Sequence, residues 1–163
     1  MPFAVRRVSG FTLIEVVVVL LLMGIITVLV VANVAPDDKK QVRIESERLA
    51  SLFEQASIDA RVSGAAINCF MSAGGYRFET QTQDGYWVAM DDDIYRPHQL
   101  PTGVNIQAIA INQVSLTAGD PLVFRASGIN PPFVVIMAKQ QVRMLIAGDP
   151  MNRVTVEADN LGL

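Results

Sequence analysis

Cysteine and histidine occur once each in the 163 residues, as Cys69 and His98. A single cysteine excludes an intrachain disulfide and says nothing about the redox compartment. A single histidine leaves a zinc site or a histidine-based catalytic pair short of parts. His98 is expected in a surface loop before Pro101, and Cys69 in an apolar strand as a buried, inert thiol. Basic charge is scarce too. From Pro36 on there are 11 basic and 15 acidic residues, a net of −4, which gives no electrostatic footprint for nucleic acid. Asp91-Asp92-Asp93 is the longest acidic run. A calcium loop needs about six or more oxygens at organised spacing, and three consecutive aspartates of an extended segment cannot all face one ion. A solvated loop is expected there. With no Gly-rich phosphate loop and no nucleophile–base pattern, no catalytic residue, metal or cofactor is expected.

What the chain does have is apolar length. Val16 to Ala35 is 20 residues without a charge, interrupted only by the polar Thr27 and Asn33. At about 1.5 Å per residue this makes roughly 30 Å of helix, the thickness of a bilayer's hydrocarbon core. A buried core helix is rarely apolar all round over such a length. A removable secretory signal has a shorter apolar region, about 7–15 residues, ending in a small-x-small site. Here the run ends Asn33-Val34-Ala35-Pro36, a poor match. Arg6 and Arg7 are the only charges before Glu15, so the positive-inside rule puts the N-terminus in the cytoplasm and everything after Pro36 outside. The expectation is a single-pass anchor in the inner membrane of a Gram-negative cell, with the head in the periplasm.

Glu15 stands at the mouth of this run. A charge in a membrane helix costs about 2.5–3.5 kcal/mol at the centre and less near an end. Taken alone, the carboxylate is compatible with snorkelling into the headgroups. It is equally compatible with a cation partner: a cut between Gly10 and Phe11 would place a new amino group four residues before Glu15, one helical turn away.

The short basic leader, Gly10, then FTLIE and a hydrophobic helix resemble the class III signal of type IV pilins and type II secretion pseudopilins. The resemblance implies that a prepilin peptidase cleaves after Gly10 and N-methylates Phe11. It makes Glu15 the assembly glutamate. A glycine has no Cβ and lets the peptidase approach the scissile bond.

Beyond the anchor, Pro36 suits the first turn of a helix, and Asp37 and Asp38 favour its positive end. The stretch KKQVRIESERLASLFEQASIDARVSG predicts an amphipathic helix to about Val62, stopped by Gly64, and continuing the membrane half as one spine, with Gly24 able to permit a bend. Its face is Val42, Glu45, Leu49, Leu52, Phe53, Ala56 and Ala60, with only Glu45 off the apolar pattern. After Gly64 the period changes to two. Candidate strands are Ala65–Met71, Tyr76–Gln81, Tyr86–Met90, Val104–Ile111, Leu122–Ala126, Phe133–Lys139, Gln141–Ala147 and Arg153–Glu157. Connections this short favour antiparallel pairing. Trp87, Tyr76, Tyr86 and Phe78 read as core and edge packing. The fold class is α+β, a long N-terminal helix packed on a head of antiparallel sheets.

This second half resembles the GspH-type minor pseudopilins through RLASLFEQASIDARVSG, GYRFE, the tryptophan strand at Trp87, LPTGV, LVFRASGINPPFVVIMA and NRVTV. The resemblance implies a pilin-like fold with residues 1–10 a cleaved leader, 11–35 a transmembrane and assembly helix, 36–63 an amphipathic helix, and 64–163 a periplasmic head. It implies a structural subunit of the type II secretion pseudopilus, near its tip or where the tip joins the major pseudopilin. The partners implied are other minor pseudopilins, the major pseudopilin, the prepilin peptidase and the inner-membrane assembly platform. Long polar or Gly/Pro-rich connections project from sheets, so Asp91–His98 and Gly128–Pro132 are the candidate contact loops. A minor pilin of a type IV pilus, including the DNA-uptake kind, shares the leader. The acidic tail EADNLGL and the unpaired count of cysteines weigh against it. A membrane-tethered periplasmic enzyme lacks a catalytic constellation.

Processing has a direct readout. The intact mass of the protein taken from membranes should equal residues 11–163 plus one methyl group. A mature terminus at Pro36 would instead show a removed secretory signal.

Overall fold

The computed structural model describes residues 13–34, 37–117 and 119–159, with side chains of the first stretch described as far as Thr27. Gly10 and Phe11 lie outside the described residues, as do Pro36 and the expected continuity of the two helical halves. The chain divides into two compact units, Met1–Pro36 and Asp37–Leu163.

The first unit holds helix α1, Leu13–Val34. It runs unbroken through Gly24. Its apolar residues from Leu13 to Ile26 are exposed on every side. Thr27 hides its hydroxyl by donating to the Met23 carbonyl at 2.7 Å. Among the described residues no helix is long and apolar enough to cross a membrane. The last eight residues of the run Val16–Ala35 lie beyond those whose side chains are described.

The second unit begins with α2, Asp38–Ser63. Asp37, not a proline-led first turn, starts it: the Asp37 carboxylate accepts from the Lys39 amide at 3.0 Å, satisfying one of the helix's orphan donors. Gly64 ends it at φ 70°, a left-handed conformation that glycine adopts without a Cβ clash. The buried stripe is Val42, Ser46, Leu49, Ala50, Phe53, Ala56, Ser57 and Ala60. Leu52 is only half-buried, and two serines expected on no face lie inside.

All eight expected strands are present, each within two residues of its expected bounds. They are β1 Ile67–Ser72, β2 Gly75–Gln81, β3 Trp87–Ala89, β5 Asn105–Ile111, β7 Leu122–Phe124, β8 Phe133–Lys139, β9 Val142–Gly148 and β10 Val154–Ala158. Two short strands were not expected, β4 His98–Gln99 and β6 Val114–Ser115. Every pairing is antiparallel. The first sheet runs β3-β2-β1-β7, with β4 also on β2; the second runs β10-β9-β8-β5-β6. Short connections make hairpins of β1–β2, β2–β3, β5–β6, β8–β9 and β9–β10, while β1–β7, β2–β4 and β5–β8 join strands distant in sequence.

Helix α2 packs on both sheets. The three meet at Phe53 of α2, Phe124 of β7 and Phe133 of β8. Phe53 lies 5.5 Å from Phe124 and 5.2 Å from Phe133, centroid to centroid, and the two sheet rings are 6.2 Å apart, edge to face. These are favourable aromatic geometries. Gly148, paired with Phe133 across β8 and β9, leaves the space the ring fills, since a Cβ there would run into it.

Core variants separate the two leucines. Leu49→Asp buries a charge with no partner and should leave no folded head. Leu52→Asp, at a half-exposed position, should cost much less. Phe53→Ala should lose about 3–5 kcal/mol. Urea unfolding followed by circular dichroism checks all three, and equal midpoints for the two leucine variants would refute the assigned face.

Candidate assembly site

Glu15 lies in the first turn of α1, solvent-exposed, among the exposed Leu13, Ile14, Val16, Val17 and Val18. A carboxylate there meets the positive end of the helix dipole. The structure therefore places one of the three leader-site residues, while Gly10 and Phe11 fall outside the described residues.

On the head, the stretch Asp91–His98 is less free than its composition suggests. Asp92 folds it into a turn by accepting from the amides of Ile94 at 2.9 Å and Tyr95 at 2.8 Å. Asp93 pairs with Arg96 at 3.1 Å. Tyr95 turns inward, packs 5.0 Å from the Phe78 ring and donates its hydroxyl to Asp59 of α2 at 2.6 Å. Burial, reinforced by that carboxylate, pushes the Tyr95 phenol up. The loop is stapled to the helix rather than projecting. Among the described residues no group of three or more His, Cys, Asp or Glu is placed to hold a metal.

His98 is not a surface loop residue. It sits half-buried in β4, its Nε2 2.9 Å from the Glu45 carboxylate and its ring 5.2 Å from Tyr76. Glu45, the one polar residue on the expected apolar stripe, has its explanation here. A half-buried carboxylate needs a partner, and that mismatch was the available signal. Gly75 allows the contact, because a Cβ there would strike the His98 carbonyl oxygen. Tyr76 is buried, and its burial raises the phenol to about 12, against a pull downward from Arg48. Cys69 is fully buried, which pushes its thiol up and keeps it unreactive.

The stretch Gly128–Pro132 is fastened from within. Buried Asn130 accepts from the Arg125 amide at 2.8 Å and donates to Asn152 at 2.8 Å and Ser57 at 3.3 Å. Asn152 in turn donates to the Gly128 carbonyl at 2.8 Å. Ile129 and Pro132 of this loop, with Met151 of the facing turn, present apolar surface outward. Beside them the outer face of the second sheet carries a groove of about 790 Å³, floored by Ala110, Val134 and Ala147 and rimmed by Asp149 and Arg153. These last two pair at 2.8 Å, and hydrogen bonds from the Arg153 backbone and side chain hold the Asp149 carboxyl below its usual range.

Of the four aromatics expected in packing roles, Tyr76 and Phe78 are buried, while Tyr86 and Trp87 are exposed beside or in the edge strand β3. The period of two identifies a strand but not whether another strand or a helix covers it.

The raised phenols predict a basic limit to stability. In the unfolded chain a tyrosine ionises near 10.0, and in the head Tyr76 does so at about 12. Over that interval the folded state keeps a proton that the unfolded state has lost. Stability is therefore full below about pH 10 and falls as pH rises toward about 12. Urea midpoints measured across this range should fall, and Tyr76→Phe should flatten the slope.

The prokaryotic N-terminal methylation motif matches residues 5–31, which take in Gly10, Phe11 and Glu15. Among curated proteins, no sequence matches the chain. Two structures of the minor pseudopilin EpsH from the type 2 secretion system of Vibrio cholerae share its fold at 13% sequence identity. One superposes with a TM-score of 0.60 over 74% of this chain and 98% of its own. The other does so with a TM-score of 0.63 over 77% and 99%. The fold is pilin-like α+β, helices with antiparallel sheets.

Proposed function

We propose that this chain is a minor pseudopilin: a structural, non-enzymatic subunit of the periplasmic pseudopilus of a type II secretion system, near the tip or where the tip joins the major pseudopilin. The observation that carries the reading is the conjunction of a methylation motif over residues 5–31 with a head of the EpsH fold. In this reading prepilin peptidase cuts between Gly10 and Phe11 and methylates Phe11, and α1 anchors the head to the inner membrane. The assembly platform then moves the subunit from lipid into a filament of other minor pseudopilins and the major one.

Physical chemistry supports the roles. The exposed apolar surface of α1 is covered by lipid before assembly and by neighbouring helices after it. Glu15 needs a cation in both settings. The amino group freed at Phe11 lies four residues away, one turn of helix. At about 4 Å and an effective dielectric constant of about 20, such a pair gains roughly 4 kcal/mol. That is the same order as the cost of about 2.5–3.5 kcal/mol for a charge in a membrane helix, so pairing offsets it. Pairing between subunits also fixes their register.

The methylation motif alone suits a minor pilin of a type IV pilus equally, for assembly or DNA uptake. The head's fold and its net charge of −4 from Pro36 on favour the secretion system.

Glu15→Ala tests the proposal. The variant should still insert, since its helix is more lipophilic, and should still be cleaved. It should lose co-purification with other pseudopilins and lose secretion. Normal secretion and normal co-purification would refute the pairing role, and loss of DNA uptake with secretion intact would favour the pilus.

A further inference from the structure

The edge of the first sheet is open at β3. The whole run Thr82–Ala89 is exposed, with Tyr86 at 74%, Trp87 at 42% and Val88 at 49%. Two bonds fix which backbone groups face inward: the Thr82 amide donates to the Tyr86 carbonyl at 2.8 Å, and the Met90 amide to the Phe78 carbonyl at 2.9 Å. The antiparallel ladder alternates, so residues 86, 88 and 90 bond to β2. The N–H and C=O of Trp87 and Ala89 then point away from it. Among the described residues no strand lies beyond β3 in the sheet. The other edges differ. The Val154 amide of β10 is taken by Glu54 of α2 at 3.1 Å, Leu122 and Phe124 of β7 are buried, and β6 is only two residues long.

Soluble proteins blunt such an edge with lysine, proline or a covering element, because it templates pairing with another chain. Here the edge carries aromatic and branched side chains, and its charge is of one sign. Asp84 stands just before it and Asp91, Asp92 and Asp93 just after, with no basic residue from 84 to 93. Asp92 is committed to its turn and Asp93 to Arg96. Asp84 and Asp91 are exposed at the two ends of the edge.

We propose that β3 receives an extended segment of a partner protein as an added strand, and that the segment is apolar in its middle and carries lysine or arginine at both ends. Backbone pairing with Trp87 and Ala89 supplies the docking, and the two aspartates select the charge. A second copy of this chain is disfavoured as the occupant, because its own β3 would bring aspartates against aspartates. The inference stands apart from the secretion reading, since it concerns only the chemistry of this edge.

Trp87 is the sole tryptophan, so its emission reports directly on the edge. The full-length chain in neutral detergent is titrated with a short peptide of alternating threonine and valine ending in lysine on both sides, and separately with the same peptide ending in glutamate. The lysine peptide should give a saturable blue shift that weakens as salt is raised to about 0.5 M. The glutamate peptide should bind about tenfold more weakly or not at all. Ala89→Pro removes an outward N–H, which an edge strand tolerates, and should weaken the lysine peptide about tenfold while circular dichroism stays unchanged. Should that variant fail to fold, the double variant Asp84→Lys, Asp91→Lys decides, and it should invert the preference between the peptides. The proposal is overturned by the absence of a saturable shift, by equal binding of the two peptides, by folded Ala89→Pro binding like wild type, or by an uninverted preference in the double variant. A shift that depends on protein concentration without peptide would make a second copy the occupant and overturn it equally.

Discussion

Three rings hold the head together. Phe53, Phe124 and Phe133 come from one helix and two different sheets, and each touches the other two. Helix α2 packs on both sheets, and the rings are where those two contacts become one. An aromatic ring buries roughly 150–250 Å², so removing any of the three uncovers both sheets at once. The constraint extends to Gly148, which must lack a side chain because Phe133 occupies the space.

Around this apolar junction the helix is fastened by polar contacts reaching far along the chain. Lys139 of β8 pairs with Asp38 at 2.9 Å and donates to Gln41 at 2.6 Å, tying the start of α2 to the second sheet. Glu45 reaches His98 of β4, Glu54 takes the edge amide of β10, Ser57 joins Asn130, and Asp59 accepts from Tyr95. Apart from the exposed Glu54 contact, each of these buries or half-buries a polar group with its partner. Satisfied in this way, the groups add modestly to stability but strongly to uniqueness, because a shifted helix would strand them all. The helix register is thus set by polar spacing, and its affinity for the sheets by the rings.

The sequence made the strands legible because a two-residue alternation is written locally, within each strand and its flanking turns. The same holds for Asp37 and Gly64 at the ends of α2. Long-range partners are not written locally. His98 precedes Pro101 and reads as loop, and the carboxylate that gives it a place lies 53 residues earlier. Ser46 and Ser57 belong to no sequence pattern, and their small hydroxyls fit inside, where Ser46 donates to Met137 Sδ at 3.6 Å and Ser57 accepts from Asn130. Leu52 looked internal because a helical stripe has soft borders, and the sheets cover only part of it. Trp87 falls in the edge strand β3, within the core-and-edge packing expected of it, but alternation reports which residues share a face and not which strand ends a sheet. Of the candidate site, Glu15 is singled out by one contiguous motif, and it lies in the first turn of α1.

Among the described residues, the surface of α1 and the β3 edge are both exposed, and they differ in what they ask of a neighbour. The exposed flank of α1 is apolar, and apolar contact is non-directional. Lipid satisfies it as well as any helix does, so it provides attachment with almost no identity. Glu15 is its one directional element among the described residues. The β3 edge is the reverse. It is only three residues long, too short for much affinity, but backbone groups demand a strand at fixed spacing, and flanking aspartates demand a sign of charge. In the proposed function, a subunit whose strong contact is unselective and whose weak contact is selective can be held in a shared environment by the first while the second tests its neighbours. Reversing the arrangement would be worse on both counts. A long, apolar, uncharged edge would pair with copies of itself and aggregate, and a polar helix would leave the head free to diffuse away before any neighbour was tested.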